Sequence, residues 1–128
     1  GVVVDTSGSM SAKQIGMALG SIASYAAAKD VPFVRIIFCD AKATDAGYLA
    51  PEDIAGRVKV TGRGGTILQP GVDCLEQAND FPKDGPILII TDGEIENDLK
   101  IRREHAFLLP RGNRLPFRAR GEVFYFRE

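Results

Sequence analysis

The sequence contains no tryptophan, one histidine and two cysteines in 128 residues. Cys39 and Cys74 are too few for a disulfide scaffold and lack C-x-x-C spacing, so both are expected to be small, reduced core residues in a cytoplasmic setting. The lone His105 leaves no material for a histidine-rich zinc or copper site. No apolar run approaches the roughly 18 residues of a membrane span, and the longest, Pro86-Ile87-Leu88-Ile89-Ile90, is strand-sized, so no membrane association is expected. Collagen, coiled-coil and repeat-array periods are absent. The chain opens on Gly1 in strand-like sequence, with neither an initiator Met nor a basic-then-apolar signal segment. We therefore expect one domain, residues 1–128, excised from a longer protein.

What is present describes a globular chain. Apolar residues make up 45% and charged residues 26%, and a domain of this length buries roughly two-thirds of its unfolded surface. The net charge of −1 conceals an asymmetry. Residues 1–100 hold 9 basic and 14 acidic side chains, whereas residues 101–128 hold 7 arginines and 3 glutamates. The arginine-rich end could meet phosphates or an acidic protein, or form a solvated face.

Along the chain, Val2-Val3-Val4 reads as a buried strand that delivers Asp5 into the turn Thr6-Ser7-Gly8-Ser9. Ser11 and Gln14 form a capping-box pattern, followed by Ile15, Ala18, Leu19, Ile22, Tyr25 and Ala26 at helical spacing up to Lys29. Gly16, Gly20 and Ser24 keep another face of that helix small, as for close packing on a sheet. Residues 31–39 read as a second buried strand and 42–49 as an edge strand. A short helix is expected from Pro51 to near Arg57.

Residues 58–60 then lead into the glycine-rich loop Thr61-Gly62-Arg63-Gly64-Gly65-Thr66, and Leu68, Val72, Leu75 and Ala78 have helical spacing after it. The strand 86–90 ends in Thr91-Asp92-Gly93. A polar helix over 96–104, a fifth strand over 106–109 and a last strand over 123–126 complete the reading. Strands alternating with helices predict an α/β fold, a doubly wound, mostly parallel sheet with helices on both faces. In such sheets ligands gather at the carboxyl ends of the strands, where the strand order reverses.

Asp5, Ser7 and Ser9 occupy one loop, Thr66 a second and Asp92 a third, and all three loops approach that carboxyl edge. Oxygen-only donors without His or Cys select hard cations, Mg²⁺ first, with Mn²⁺ or Ca²⁺ as alternatives. Asp5-Thr6-Ser7-Gly8-Ser9-Met10, Gly64-Gly65-Thr66 and Thr91-Asp92-Gly93 at the end of an apolar strand together resemble the metal-ion-dependent adhesion site of a von Willebrand factor A (VWA) domain. D-x-S-x-S alone is a weak signal; the three pieces in order, each on its proper element, are specific. The wider sequence is similar to bacterial VWA-like domains that follow a metallopeptidase-like domain and are associated with MoxR-type AAA ATPases. No H-E-x-x-H lies in this chain, so any peptidase chemistry would belong elsewhere.

The resemblance implies a Rossmann-like VWA fold in which Ser7, Ser9 and Thr66 contact the metal through hydroxyls, while Asp5 and Asp92 act mainly through water. Neutral direct ligands leave the cation electrophilic, so an Asp or Glu of a protein partner can complete an octahedron. The function expected is a metal-dependent protein-interaction module, with an AAA ATPase as a candidate partner and no catalysis by the domain alone.

Two other readings stand beside it. A Mg²⁺-dependent hydrolase would need a base near the metal, but His105 begins the fifth strand and should lie at the opposite edge. RNA binding would use Arg102, Arg103, Arg111, Arg114, Arg118 and Arg120 with Phe117, Phe124, Tyr125 and Phe126, which a terminal strand with core aromatics explains as easily. Where a VWA domain continues through further helices, residues 110–128 leave no room for one. The C-terminal part is therefore abbreviated, the last strand could add in parallel or form a hairpin with residues 115–117, and the edge is expected to offer apolar surface for self-association or another domain.

Overall fold

A computed structural model describes residues 1–7, 10–54 and 67–127. Among these residues six strands, β1 (Val2–Asp5), β2 (Val34–Cys39), β3 (Ala43–Leu49), β4 (Ile87–Ile90), β5 (His105–Pro110) and β6 (Glu122–Phe126), form one sheet in the order β3-β2-β1-β4-β5-β6. Only β3 is antiparallel to its neighbour; every other pair is parallel. The three described helices are α1 (Ala12–Ala28), α2 (Pro51–Ile54) and α3 (Gln69–Gln77). The architecture is the Rossmann-like α/β arrangement expected of a VWA fold.

The strand period of two divides the core into two layers. Val2, Val4, Ile36, Phe38 and Ile90 pack with Ile15, Ala18 and Leu19 of α1. Val3, Ile37, Cys39, Ile87 and Ile89 point the other way and pack with Val72 and Leu75 of α3. Full burial of each such aliphatic side chain contributes about 1.5–3 kcal/mol. This explains why β1 and β4, buried on both faces, are nearly unbroken Val and Ile. At Gly71 a Cβ would come within 2.8 Å of Val3 Cγ1, so its absence lets α3 lie directly on the sheet. Cys39 and Cys74 are both free thiols, and burial pushes Cys39 up to about 11.

α1 begins as the capping box predicts. The Gln14 N–H donates to Ser11 Oγ and the Ser11 N–H to Gln14 Oε1, each at 3.0 Å. Other expectations for this helix fail. Tyr25 is 64% exposed and belongs to no core layer, Ser24 is exposed, and a Cβ on Gly20 would meet nothing within 4 Å. The small face therefore does not press on the sheet at those positions.

The expected helix over 96–104 is not formed: residues 91–104 run as bends, turns and irregular chain. Leu99 and Ile101 pack on the α3-side core two residues apart, a spacing that an extended segment satisfies and one helix face does not. β6 adds in parallel to β5, from Ala106 opposite Glu122 to Pro110 opposite Phe126, which settles the open topology against a hairpin. The intervening segment instead lays Leu115, Phe117 and Ala119 on the α3-side core. On the outer strand Phe124 and Tyr125 are 50% and 54% exposed, so its edge does present apolar surface. The short helix at Pro51 is described only to Ile54; its predicted end near Arg57 and the strand 58–60 lie outside the described residues.

Candidate metal centre

The central strand β1 has β2 on one side and β4 on the other. Its following helix α1 covers one face, while α3, which precedes β4, covers the opposite face. The chain thus winds away in two directions from the gap between β1 and β4, and sheets wound in this way place their ligand crevice at the carboxyl ends of those strands. Asp5 is the last residue of β1, and Asp92 lies two residues beyond the end of β4. Both are enclosed, at 0% and 4% exposure, as are Ser7 and Thr91 at 0%.

Hydrogen bonds fix the orientation of both acids. Asp5 Oδ1 accepts from the Ser7 N–H at 2.8 Å, and Asp5 Oδ2 accepts from the Thr91 hydroxyl at 2.7 Å. Thr91 Oγ1 in turn accepts from the Gly93 N–H at 3.1 Å, so its proton is directed onto Asp5. Asp92 Oδ1 accepts from the Glu94 N–H at 3.0 Å, and the Asp92 carbonyl accepts from Asn113 Nδ2 at 2.8 Å. Gly93 has φ +91°, and a Cβ there would lie 1.9 Å from the Arg114 carbonyl oxygen. The β5–β6 connection therefore lies directly against the Asp92 turn.

The electrostatics of this crevice are one-sided. Burial raises the Asp5 carboxyl above its ordinary value, and repulsion from Asp92 adds to the shift; hydrogen bonds from Ser7 and Thr91 offset part of it. No cationic side chain pairs with Asp5 or Asp92 among the described residues. Two enclosed carboxylates beside a serine, without a counter-charge among the described residues, form a donor set suited to a hard divalent cation. Among the described residues no group of three His, Cys, Asp or Glu side chains could hold a metal.

Of the five predicted site residues, the structure brings Asp5, Ser7 and Asp92 together. Ser9 and Thr66 lie outside the described residues. Three participants carry no role in the sequence reading. Thr91 was legible in position within Thr91-Asp92-Gly93, though its bond to Asp5 was not. Asn113 sits in a loop with no motif. Glu96, assigned to a helix, spreads its carboxylate over the start of α3 and accepts from the Leu68 N–H at 2.9 Å and the Gln69 N–H at 3.0 Å. The available signal was that Leu68-Gln69-Pro70 opens a helix with no capping side chain of its own.

His105 lies where the sequence predicts, at the opposite edge of the sheet, in register with the first residue of β4. Its Nδ1 is 2.8 Å from the Arg103 carbonyl oxygen. No described helix is long and apolar enough to cross a membrane.

Comparison with known proteins gives a family. A family model described as a VWA-like domain (DUF2201) matches residues 1–105, a span that includes Asp5, Ser7, Ser9, Thr66 and Asp92 and ends at the first residue of β5. No curated protein and no solved structure matches the chain. The match covers well over half the sequence, and the chain belongs to the VWA-like domain family DUF2201.

Proposed function

We propose that this VWA-like domain is a protein-interaction module that holds one divalent cation at the β1–β4 crevice and uses it to dock an acidic side chain of a partner. Mg²⁺ is the first choice and Mn²⁺ or Ca²⁺ the alternatives. The observation that carries this reading is the pair of enclosed carboxylates, Asp5 and Asp92, with no cationic side chain paired to them among the described residues. A VWA-like family supports protein interaction in general terms; the metal and the acidic contact are the finer reading of the crevice.

The residues divide the work by position. The hydroxyls of Ser7, Ser9 and Thr66 would hold the cation directly. Asp5, whose two oxygens already accept from Ser7 and Thr91, is oriented to act through water. Asp92 supplies the second negative charge, so the protein balances the dication without supplying every ligand. When bound, the cation offers a coordination position to a carboxylate oxygen from outside the chain. Thr91 and Asn113 would serve it indirectly, by holding Asp5 and the Asp92 turn in place.

On this reading the domain catalyses nothing alone. The resemblance noted from the sequence directs the search for a partner to MoxR-type AAA ATPase systems. The test is affinity capture on the immobilised domain in Mg²⁺ and in EDTA, with Asp5→Ala and Thr66→Ala as controls. A partner retained in Mg²⁺, released by EDTA and lost by both variants is expected. Capture indifferent to EDTA contradicts the mechanism.

A further inference from the structure

The loop that touches the Asp92 turn also builds a second feature. Arg111, Gly112, Asn113 and Arg114 from the β5–β6 connection, with Tyr125, Phe126 and Arg127 at the end of β6, line an open cleft of about 460 Å³. Three of these seven residues are arginines, and none is acidic. All three arginines are exposed, and their side chains make no ion pair or hydrogen bond among the described residues. Two less exposed arginines, Arg35 and Arg103, behave differently. Arg35 is tied to Asp45 and Asp80, and Arg103 to the carbonyls of Pro82 and Gly85.

The cleft has a fixed relation to the candidate metal centre. Asn113 Nδ2 donates to the Asp92 carbonyl at 2.8 Å, and the Arg114 backbone rests on Gly93. At the other wall, the Arg111 N–H donates to the Phe126 carbonyl at 2.8 Å, which joins the loop to β6. Unpaired guanidiniums gathered in a concavity focus positive potential toward whatever occupies the adjoining crevice. Guanidinium groups also match carboxylates as paired hydrogen-bond acceptors.

We propose that this cleft extends the docking site. The partner contributes an acidic segment: one carboxylate goes to the metal, and further carboxylates of the same segment pair with Arg111, Arg114 and Arg127. This rests on the metal-docking reading and adds the class of partner, an acidic stretch of polypeptide rather than an isolated Asp or Glu. The cleft lies outside residues 1–105, so it belongs to the part of the chain that the family match does not cover.

The probe is a fluorescein-labelled deca-glutamate peptide, followed by fluorescence anisotropy with Mg²⁺ or EDTA. A uridine decamer of RNA serves as the competing class. The proteins are the wild type, the triple variant Arg111→Ala/Arg114→Ala/Arg127→Ala, and Asp5→Asn. The arginines are exposed and make no side-chain bond among the described residues, so their removal should leave the fold intact, and the thermal shift caused by Mg²⁺ should be the same in the triple variant as in the wild type. The triple variant is expected to bind the peptide roughly tenfold more weakly, with a shallower salt dependence, which is the sum of three exposed ion pairs.

Equal peptide affinity in wild type and triple variant overturns the cleft; if EDTA still releases the peptide from both, the metal reading survives that failure. Weakening in the triple variant with no effect of EDTA or Asp5→Asn supports the arginine contacts but removes the metal reading beneath them. Tighter binding of the RNA through the same three arginines overturns the assignment of an acidic polypeptide.

Discussion

Asp5 carries opposite obligations in the presence and absence of a counter-ion. Its enclosed carboxyl is held above the ordinary value by burial and then by Asp92, so the metal-free folded state binds a proton more readily than the unfolded chain. The contribution of this group to stability is therefore full below the unfolded value near 3.8 and is lost as pH rises through the folded value. Asn keeps the acceptor that Ser7 uses and removes the charge, but it turns an amide donor toward the Thr91 hydroxyl in place of the acceptor Oδ2. In metal-free protein, Asp5→Asn should show a flatter dependence of melting temperature on pH than wild type above the unfolded carboxylate value. Thermal melts across that range check it. Gly93 makes the converse case. Its φ of +91° and the 1.9 Å approach of the Arg114 carbonyl leave no room for a methyl group. Gly93→Ala should cost well over ~1 kcal/mol in chemical denaturation and weaken whatever the Asp92 turn and its neighbouring loop bind together.

Among the elements, β1, β4 and α1 were legible because each carries a local signal that agrees with its burial. Val2-Val3-Val4 and Ile87–Ile90 suit strands enclosed on both faces, and Ser11 with Gln14 marks a helix start. The segment 96–104 misled because its composition suits a helix while its contacts do not. Glu96 is drawn to the start of α3, Leu99 and Ile101 are drawn to the core, and no helix places both sets. Tertiary contacts of that kind have no local signature. They have a measurable consequence, because α3 depends on a carboxylate 27 residues away from Gln69 for its capping. Glu96→Ala should destabilise the protein by about 1 kcal/mol, the usual effect of a lost cap, and Glu96→Gln by less. Urea denaturation of the two variants against wild type provides the comparison.

Across the whole molecule, the charge asymmetry of the sequence acquires a location. The acidic first hundred residues include Asp5 and Asp92 at the carboxyl edge, and the arginine-rich remainder supplies β6 and the loop resting on Asp92. The order of strands explains why these meet. With β1 at the centre and the winding reversed between β1 and β4, loops distant in sequence converge on one crevice. The motif pieces could be read from sequence because each follows a recognisable strand or glycine-rich loop. The Asn113 tie and the arginine cleft could not, since residues 111–121 form neither helix nor strand and their placement depends on β6 pairing in parallel.

The central claim is that the crevice holds a single divalent cation. Calorimetric titration of Mg²⁺ into metal-free wild-type protein and Asp5→Asn at pH 7 tests it most directly. One saturable site per chain is predicted for wild type, with affinity at least about tenfold weaker in the variant, as for a residue that orients ligands through water. Absence of saturable binding to the wild type, or equal binding by both proteins, would contradict it.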